Sequence, residues 1–233
     1  VQFFEIVNSL SNPVGNRTLA EPYVRKRRTI LINMIMTKLP ESILLHAQTL
    51  PEGGVLSPKE FLHLGSRAAV DQALSRLTKE GKLLRVARGT YVTPVSSRFG
   101  TRAPAPEKVV HALATQNGEV VTPHGANAAN ALGLTQQVPI REVYLTSGRT
   151  RKLTLGRSEV MVKHAPRWML ALGSGPAGAA VRALAWMGPS HVGESLAALH
   201  RTLPPAEWRT LTSARAALPS WMARAIGAEA LRG

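Results

Sequence analysis

Ser57-Pro58-Lys59-Glu60-Phe61-Leu62-His63-Leu64-Gly65-Ser66-Arg67-Ala68-Ala69-Val70-Asp71-Gln72-Ala73-Leu74-Ser75-Arg76-Leu77-Thr78-Lys79 is the stretch on which the fold turns. Serine at the N-cap, proline at the first helical position and Glu60 two residues later form a capping box, which opens a short helix running to about Leu64. Gly65 supplies a turn and Ser66 caps the next helix, which Gly81 stops. Along that helix Val70, Ala73, Leu74 and Leu77 recur at i, i+3, i+4 and i+7, an apolar stripe suited to a core. The opposite face carries Arg67, Ala68, Asp71, Gln72, Ser75, Arg76 and Lys79. A short helix, a tight turn and a second helix with a basic, hydrogen-bonding face is what a DNA major groove accepts. Arg67 and Gln72 are the long donors near the N-terminal end, where base edges are read. Arg76 and Lys79 lie further along, better placed for phosphate. Ser57, Lys59 and Ser66 join the candidate DNA-binding set from the short helix and the turn.

Upstream, Glu41 to Leu50 reads as a first helix with Ile43, Leu44, Ala47 and Leu50 at helical spacing, ended by Pro51-Glu52-Gly53-Gly54. Downstream, Lys82 to Ala87 and Thr90 to Thr93 read as two strands around Arg88-Gly89. That hairpin has a basic tip, the wing of a winged helix. Arg85, Arg88 and Thr90 are its candidate DNA contacts, an arginine entering the minor groove or gripping phosphate. Amphipathic helices more often just pack, so the specificity lies in the ordered set. The expected winged helix-turn-helix spans residues 36–95.

Residues 96–106 read as a linker rich in arginine, glycine and proline, and residues 107–233 as an α+β domain with a helical tail. In it, Glu107 to Gln116 and Pro123 to Leu132 are expected helices. Glu119 to Thr122, Val138 to Thr146 and Leu153 to His164 are expected strands, with Ser147 to Thr150 as a turn. From Pro166 onward the chain is expected to be helical and punctuated by prolines. The fold class is α+β: an N-terminal winged helix-turn-helix followed by an α+β domain with a helical C-terminal tail.

Gly65 to Leu77 and Arg88-Gly89-Thr90-Tyr91, with Thr122-Pro123-His124-Gly125-Ala126-Asn127-Ala128-Ala129-Asn130-Ala131-Leu132-Gly133-Leu134 and Val143-Tyr144-Leu145-Thr146-Ser147-Gly148, carry a family resemblance. Residues 39 to about 200 resemble the AbiEi-type antitoxins of bacterial type IV toxin–antitoxin systems, part of the AbiE abortive-infection pair that serves in phage defence. The last two blocks are the more specific, because winged helices are widespread. The resemblance implies a dual activity. The winged helix would bind inverted repeats in the chain's own promoter as a transcriptional repressor, as a dimer or a cooperative pair. The C-terminal domain would counter a nucleotidyltransferase-like toxin, with no stable complex required. An antitoxicity surface is assigned to His124, Asn127, Asn130, Arg149, Arg151 and Lys152. The residues themselves leave alternatives open: Asn127 and Asn130, three apart on one helix face, can present a polar surface or satisfy buried backbone groups. His124 can be a ligand or a base, or it can be a helix cap.

Charge supports a polyanionic partner. Lys and Arg number 29 against 14 for Asp and Glu, a net charge of +15, for which nucleic acid is the default reading. A basic protein from an arginine-rich proteome is the bland alternative. With 44% apolar and 18% charged residues the composition is that of a globular chain. Cysteine is absent, which excludes disulfides, thiolate metal sites and a cysteine nucleophile. No apolar run reaches the ~18 residues of a membrane span, and a cytoplasmic location is expected. Residues 1–35 look unlike the rest and are expected to be a disordered or non-native extension, with Met36 as the start. Their basic tetrad Arg25-Lys26-Arg27-Arg28 reads as a solvated tail.

Signals for catalysis are poor. Gly173-Ser174-Gly175-Pro176-Ala177-Gly178 matches G-x-G-x-x-G, but a dinucleotide site needs that motif after the first strand of a βαβ unit. The seven histidines show no ligand spacing, no G-x-S-x-G elbow is present, and acidic pairs suited to two-metal chemistry are missing. The expectation is a protein without catalytic residues, metal or cofactor. Two rivals remain: a stand-alone winged-helix regulator whose second domain senses a ligand or self-associates, and an enzyme acting on nucleic acid.

Overall fold

Paired apolar residues decide the central layer. Val55-Leu56, Leu83-Leu84 and Tyr91-Val92 each place one large apolar side chain on either side of an extended backbone, the pattern of a sheet covered on both faces. The computed structural model describes residues 38–98 and 100–232, so the expectations for residues 1–35 and Met36 lie outside the described residues. In it β1 (Val55–Leu56), β2 (Leu84–Ala87) and β3 (Thr90–Val92) form an antiparallel sheet of order β1-β3-β2. One face meets α1 (Leu39–Thr49), a 3₁₀ turn (Pro58–Phe61) and α2 (Arg67–Lys79). There Leu56, Leu83 and Tyr91 pack with Ile43, Ala47, Phe61, Val70, Leu74 and Leu77. On the other face Val55, Val86 and Val92 pack with Val109, Val110 and Leu113 of α3 (Pro106–Asn117) and with the second sheet.

That second sheet is mixed. Its strands β6 (Val121–Pro123), β7 (Glu142–Thr146), β8 (Arg151–Leu155) and β9 (Ser158–His164) run in the order β6-β7-β9-β8, with β7 and β9 parallel and the other pairs antiparallel. Leu153, Leu155, Val160 and Val162 complete the cluster shared with the first sheet. Burying each such side chain contributes roughly 1.5–3 kcal/mol. After α4 (Gly125–Ala131) and α5 (Arg167–Leu170) come α6 (Pro176–Met187), α7 (Val192–Thr202), α8 (Pro205–Ser213) and α9 (Ser220–Ala230). These four pack through Val181, Leu184, Leu196, Leu199, Leu211, Met222 and Ile226. The prolines of this region sit at helix starts: Pro176 and Pro205 open α6 and α8, and Pro166 and Pro219 are the N-caps of α5 and α9. A missing amide costs nothing in a first turn. The fold is α+β, with N-terminal helices in a helix-turn-helix-like arrangement followed by mixed sheets. Among the described residues no helix is long and apolar enough to cross a membrane.

Several boundaries differ from expectation. The short helix expected to reach Leu64 is a 3₁₀ turn, Pro58–Phe61, continued by a further three-residue turn in which Leu64 N donates to Phe61 O at 2.9 Å. So few residues before Gly65 leave little room for i→i+4 bonding. The stretch expected as a linker contains a two-stranded ribbon, β4 (Val95–Ser97) with β5 (Gly100–Arg102). β7 begins at Glu142 rather than Val138, because Pro139 interrupts the run and the preceding loop is tied to α4. The G-x-G-x-x-G match follows a helix, α5, not a strand.

Three glutamates fasten the parts. Glu52 binds Arg102 Nη2 at 3.3 Å, the Ala105 amide at 3.2 Å, and Lys108 of α3. Glu60 accepts from the Ser57 amide and from Gln116 Nε2 of α3, both at 2.8 Å, and faces His46 of α1 at 3.4 Å. Glu119 receives Arg151 in a bidentate pair at 2.7 and 2.6 Å and the Thr146 hydroxyl at 2.8 Å. The Arg151 bonds hold the Glu119 carboxyl below its ordinary value against the opposing effect of burial, and the Thr146 bond adds to them.

Two outcomes follow from this packing. Gly53 has φ +83°, and a Cβ there would lie 2.6 Å from Lys108 Cβ and 2.8 Å from the Lys108 carbonyl carbon. Gly53→Ala is therefore expected to destabilise the fold by about 2–3 kcal/mol, read as a lower urea midpoint; an unchanged midpoint would refute the close approach. Because the folded value of Glu119 is depressed, its contribution is full above the unfolded value of 4.5 and is lost as pH falls through the folded one. Glu119→Gln is expected to cost about 1–3 kcal/mol at neutral pH and to flatten the acid limb of the stability profile.

Candidate nucleic-acid interface

The second helix of the N-terminal pair divides cleanly. Val70, Ala73, Leu74 and Leu77 of α2 are buried, whereas Arg67, Ala68, Asp71, Gln72, Ser75, Arg76 and Lys79 are all exposed. Ser66 Oγ accepts from the Ala69 amide at 3.3 Å, which starts the helix at Arg67. Arg67 Nε donates to Asp71 Oδ2 at 2.8 Å, one turn along, so Asp71 orients the arginine rather than standing apart as a separate contact. Arg76 Nε is bonded to Glu80 at 2.9 Å, and Lys82 meets the same carboxylate at 2.8 Å. Lys59 is exposed, whereas Ser57 is half-buried and its amide is committed to Glu60.

The β2–β3 hairpin stands beside this face. Gly89 closes its turn with φ +69°, a left-handed conformation that favours glycine. Arg85 pairs with Tyr91 across the hairpin, and a bulge follows Arg85. Alternation then aims Arg85 away from the valine cluster that holds Val86. The result is one cleft of about 460 Å³ lined by Arg67, Asp71, Ser75, Arg85, Arg88, Gly89 and Tyr91. Three guanidinium groups face one carboxylate there. The hairpin side of such a cleft, Arg85 and Arg88, can take the phosphates of a polyanion, while its helix side, Arg67 and Ser75, with Gln72 on the outer helix face, offers hydrogen-bonding groups. Thr90 is half-buried at the base of the turn. Tyr91 was not among the expected contacts; its place three residues after Arg88 in Arg88-Gly89-Thr90-Tyr91 was the available signal.

The residues assigned to an antitoxicity surface have varied local roles. His124 is the N-cap of α4, its Nδ1 accepting from the Ala126 amide at 3.2 Å, and burial, then Lys163, push its pKa down. Asn130 Nδ2 donates to the carbonyls of Thr135 at 3.3 Å and Gln137 at 3.2 Å, tying down the loop before β7. Asn127 is exposed. Arg151 is bound by Glu119, Lys152 meets Glu159 at 2.5 Å, and Arg149 is exposed. The first three belong to α4 and its cap. The other three precede or open β8, which β7 and β9 separate from β6. Among the described residues no group of three or more His, Asp or Glu could hold a metal ion.

Comparison with known proteins places the chain by sequence rather than by chemistry. No curated protein matches it. Among solved structures it is similar to the crystal structure of RV2827C protein from Mycobacterium tuberculosis, at 16% identity, covering 82% of this chain and 81% of that one, with a TM-score of 0.41. Residues 42–203, which hold the helix pair, the hairpin, both sheets and the helices through α7, match the model of a family of unknown function, DUF6088, and the chain belongs to that family.

Proposed function

We propose that this protein is a DNA-binding transcriptional repressor whose N-terminal unit is a winged helix-turn-helix. The observation that carries the reading is the single cleft in which Arg67, Asp71 and Ser75 of α2 meet Arg85 and Arg88 of the hairpin. With α2 laid in the major groove, Arg67 and Gln72 reach base edges, and the hairpin sets Arg88 on the flanking phosphates or minor groove. The Asp71 bond limits the rotamers of Arg67, so less freedom is lost when it binds a base. The net charge of +15 adds a sequence-independent attraction.

The resemblance to AbiEi-type antitoxins extends the proposal: the target is the chain's own promoter, and the remainder of the chain opposes a nucleotidyltransferase-like toxin encoded alongside. A stand-alone regulator with a ligand-sensing second unit is the other reading, favoured by a concavity beside the buried Arg182. Co-expression with the neighbouring gene separates them. Relief of growth arrest by this chain supports the antitoxin, and a harmless neighbour leaves the regulator.

Titration of the full chain against its own upstream DNA and a scrambled duplex at several salt concentrations tests the shared part. A preference of about a thousandfold or more with a steep salt slope is expected. Arg67→Ala is expected to remove about 1–3 kcal/mol of that preference; equal loss on both duplexes would overturn base contact by Arg67. Arg88→Ala is expected to weaken both duplexes alike and lower the salt slope by about one, and an unchanged slope would take Arg88 out of the phosphate contacts.

A further inference from the structure

Arg182 of α6 is only 2% exposed and is among the bulkiest fully buried side chains of the described residues. Its Nη1 donates to Gly173 O at 2.7 Å and Met169 O at 3.5 Å, while its Nε has no partner. The contacts found for it are carbonyls, and burial alone pulls its pKa down to about 10. A guanidinium taken out of water without an opposing charge is costly, and natural structures retain one where an anion completes it.

Arg182 forms part of the wall of a concavity of about 460 Å³ between α4, α6, the first turn of α3 and the middle of β7. Glu107, Asn127, Tyr144 and Ser174 also line it. The arginine is buried, whereas Glu107, Asn127 and Ser174 are exposed, so a cation lies deep and a carboxylate lies outside. Burial, then Glu142 and Glu107, push the Tyr144 phenol up to about 12, so it is a hydrogen-bond donor at neutral pH. A doubly charged phosphate would meet one cation and be repelled by Glu107. A monoanion with a positive group at its other end satisfies both.

We propose that this concavity binds a small zwitterion of the amino-acid class, with its carboxylate on Arg182 and its ammonium toward Glu107. Asn127, Tyr144 and Ser174 supply hydrogen bonds between the two charges. The site lies away from the α2–hairpin cleft and is tested without DNA, so the two proposals stand or fall separately.

Thermal unfolding of the full chain is to be followed with each of the twenty α-amino acids at millimolar concentration, and with acetate and inorganic phosphate as separate probes. At least one amino acid is expected to raise Tm by about 2–4 °C, and calorimetric titration then gives its Kd. Glu107→Gln and Ala131→Phe, both at exposed positions on the rim, are each expected to weaken that Kd about tenfold or more. Arg182→Met is expected to abolish binding, and if it does not fold, the two rim variants decide. Stabilisation by phosphate but by no amino acid would overturn the zwitterion, as would an unchanged Kd in Glu107→Gln. No shift from any probe, or binding that survives Ala131→Phe undiminished, would overturn the site.

Discussion

The valine seam between the two sheets governs the rest of the molecule. Val55, Val86 and Val92 leave the first sheet on one side and meet Val109, Val110, Leu153, Leu155, Val160 and Val162. On the other side Leu56, Leu83 and Tyr91 close the core of the helix pair. A strand with both faces covered has its register set twice, because a slip of one residue would move every side chain to the wrong layer. The hairpin that carries Arg85 and Arg88 is therefore not a loose appendage. Its base is clamped between two cores, and only its tip and one side chain of each alternating pair reach the cleft.

Acidic residues reinforce that clamp and leave the cleft basic. Glu52 and Glu60 both reach α3, from the loop after α1 and from the 3₁₀ turn respectively. Exposed ion pairs of this kind are each worth little, about 0–1 kcal/mol. Their effect here is on geometry, since each joins a segment of the helix pair to the helix that covers the second sheet. With carboxylates drawn inward to such clasps, Asp71 is the acidic residue lining the cleft, and it holds Arg67 in place. The placement of negative charge thus shapes the positive surface as much as the arginines do.

The helical half follows a different rule. Small residues let α4 and α6 approach closely: a Cβ at Gly125 would lie 2.4 Å from the Arg182 carbonyl oxygen. Ala128, Ala129 and Ala183 fill the contact. Close backbones leave no room for a large apolar layer, and Arg182 is buried beside them, bonded to the Gly173 and Met169 carbonyls and forming part of the wall of a concavity. The buried guanidinium is thus a consequence of alanine-rich helix packing, not of the sheet.

Local chemistry made much of this legible in advance. The stripe of α2, the Ser66 cap, the left-handed turn at Gly89 and the prolines at helix starts follow from residue types at fixed spacing, because caps, turns and amphipathic periods act over a few residues. The exposed face of α2 was readable for the same reason. The short strand β1 was not, since its partner β3 lies far along the chain, and the 3₁₀ turn and the ribbon at Val95–Ser97 and Gly100–Arg102, although local, lack the periodic apolar pattern that marks a longer element. The apolar pairs at Val55-Leu56, Leu83-Leu84 and Tyr91-Val92 were visible, yet which core each member would enter was decided only when the second sheet packed against the first. Asn130, Arg151 and Arg182 teach the same lesson: the sequence determined that they are polar, while tertiary structure decided that Asn130 holds a loop, that Arg151 is bound to a glutamate, and that Arg182 is buried without an opposing charge. Side-chain type is a local property, whereas the partner that satisfies it is set by the path of the folded chain, whether a nearby loop as for Asn130 or a distant glutamate as for Arg151.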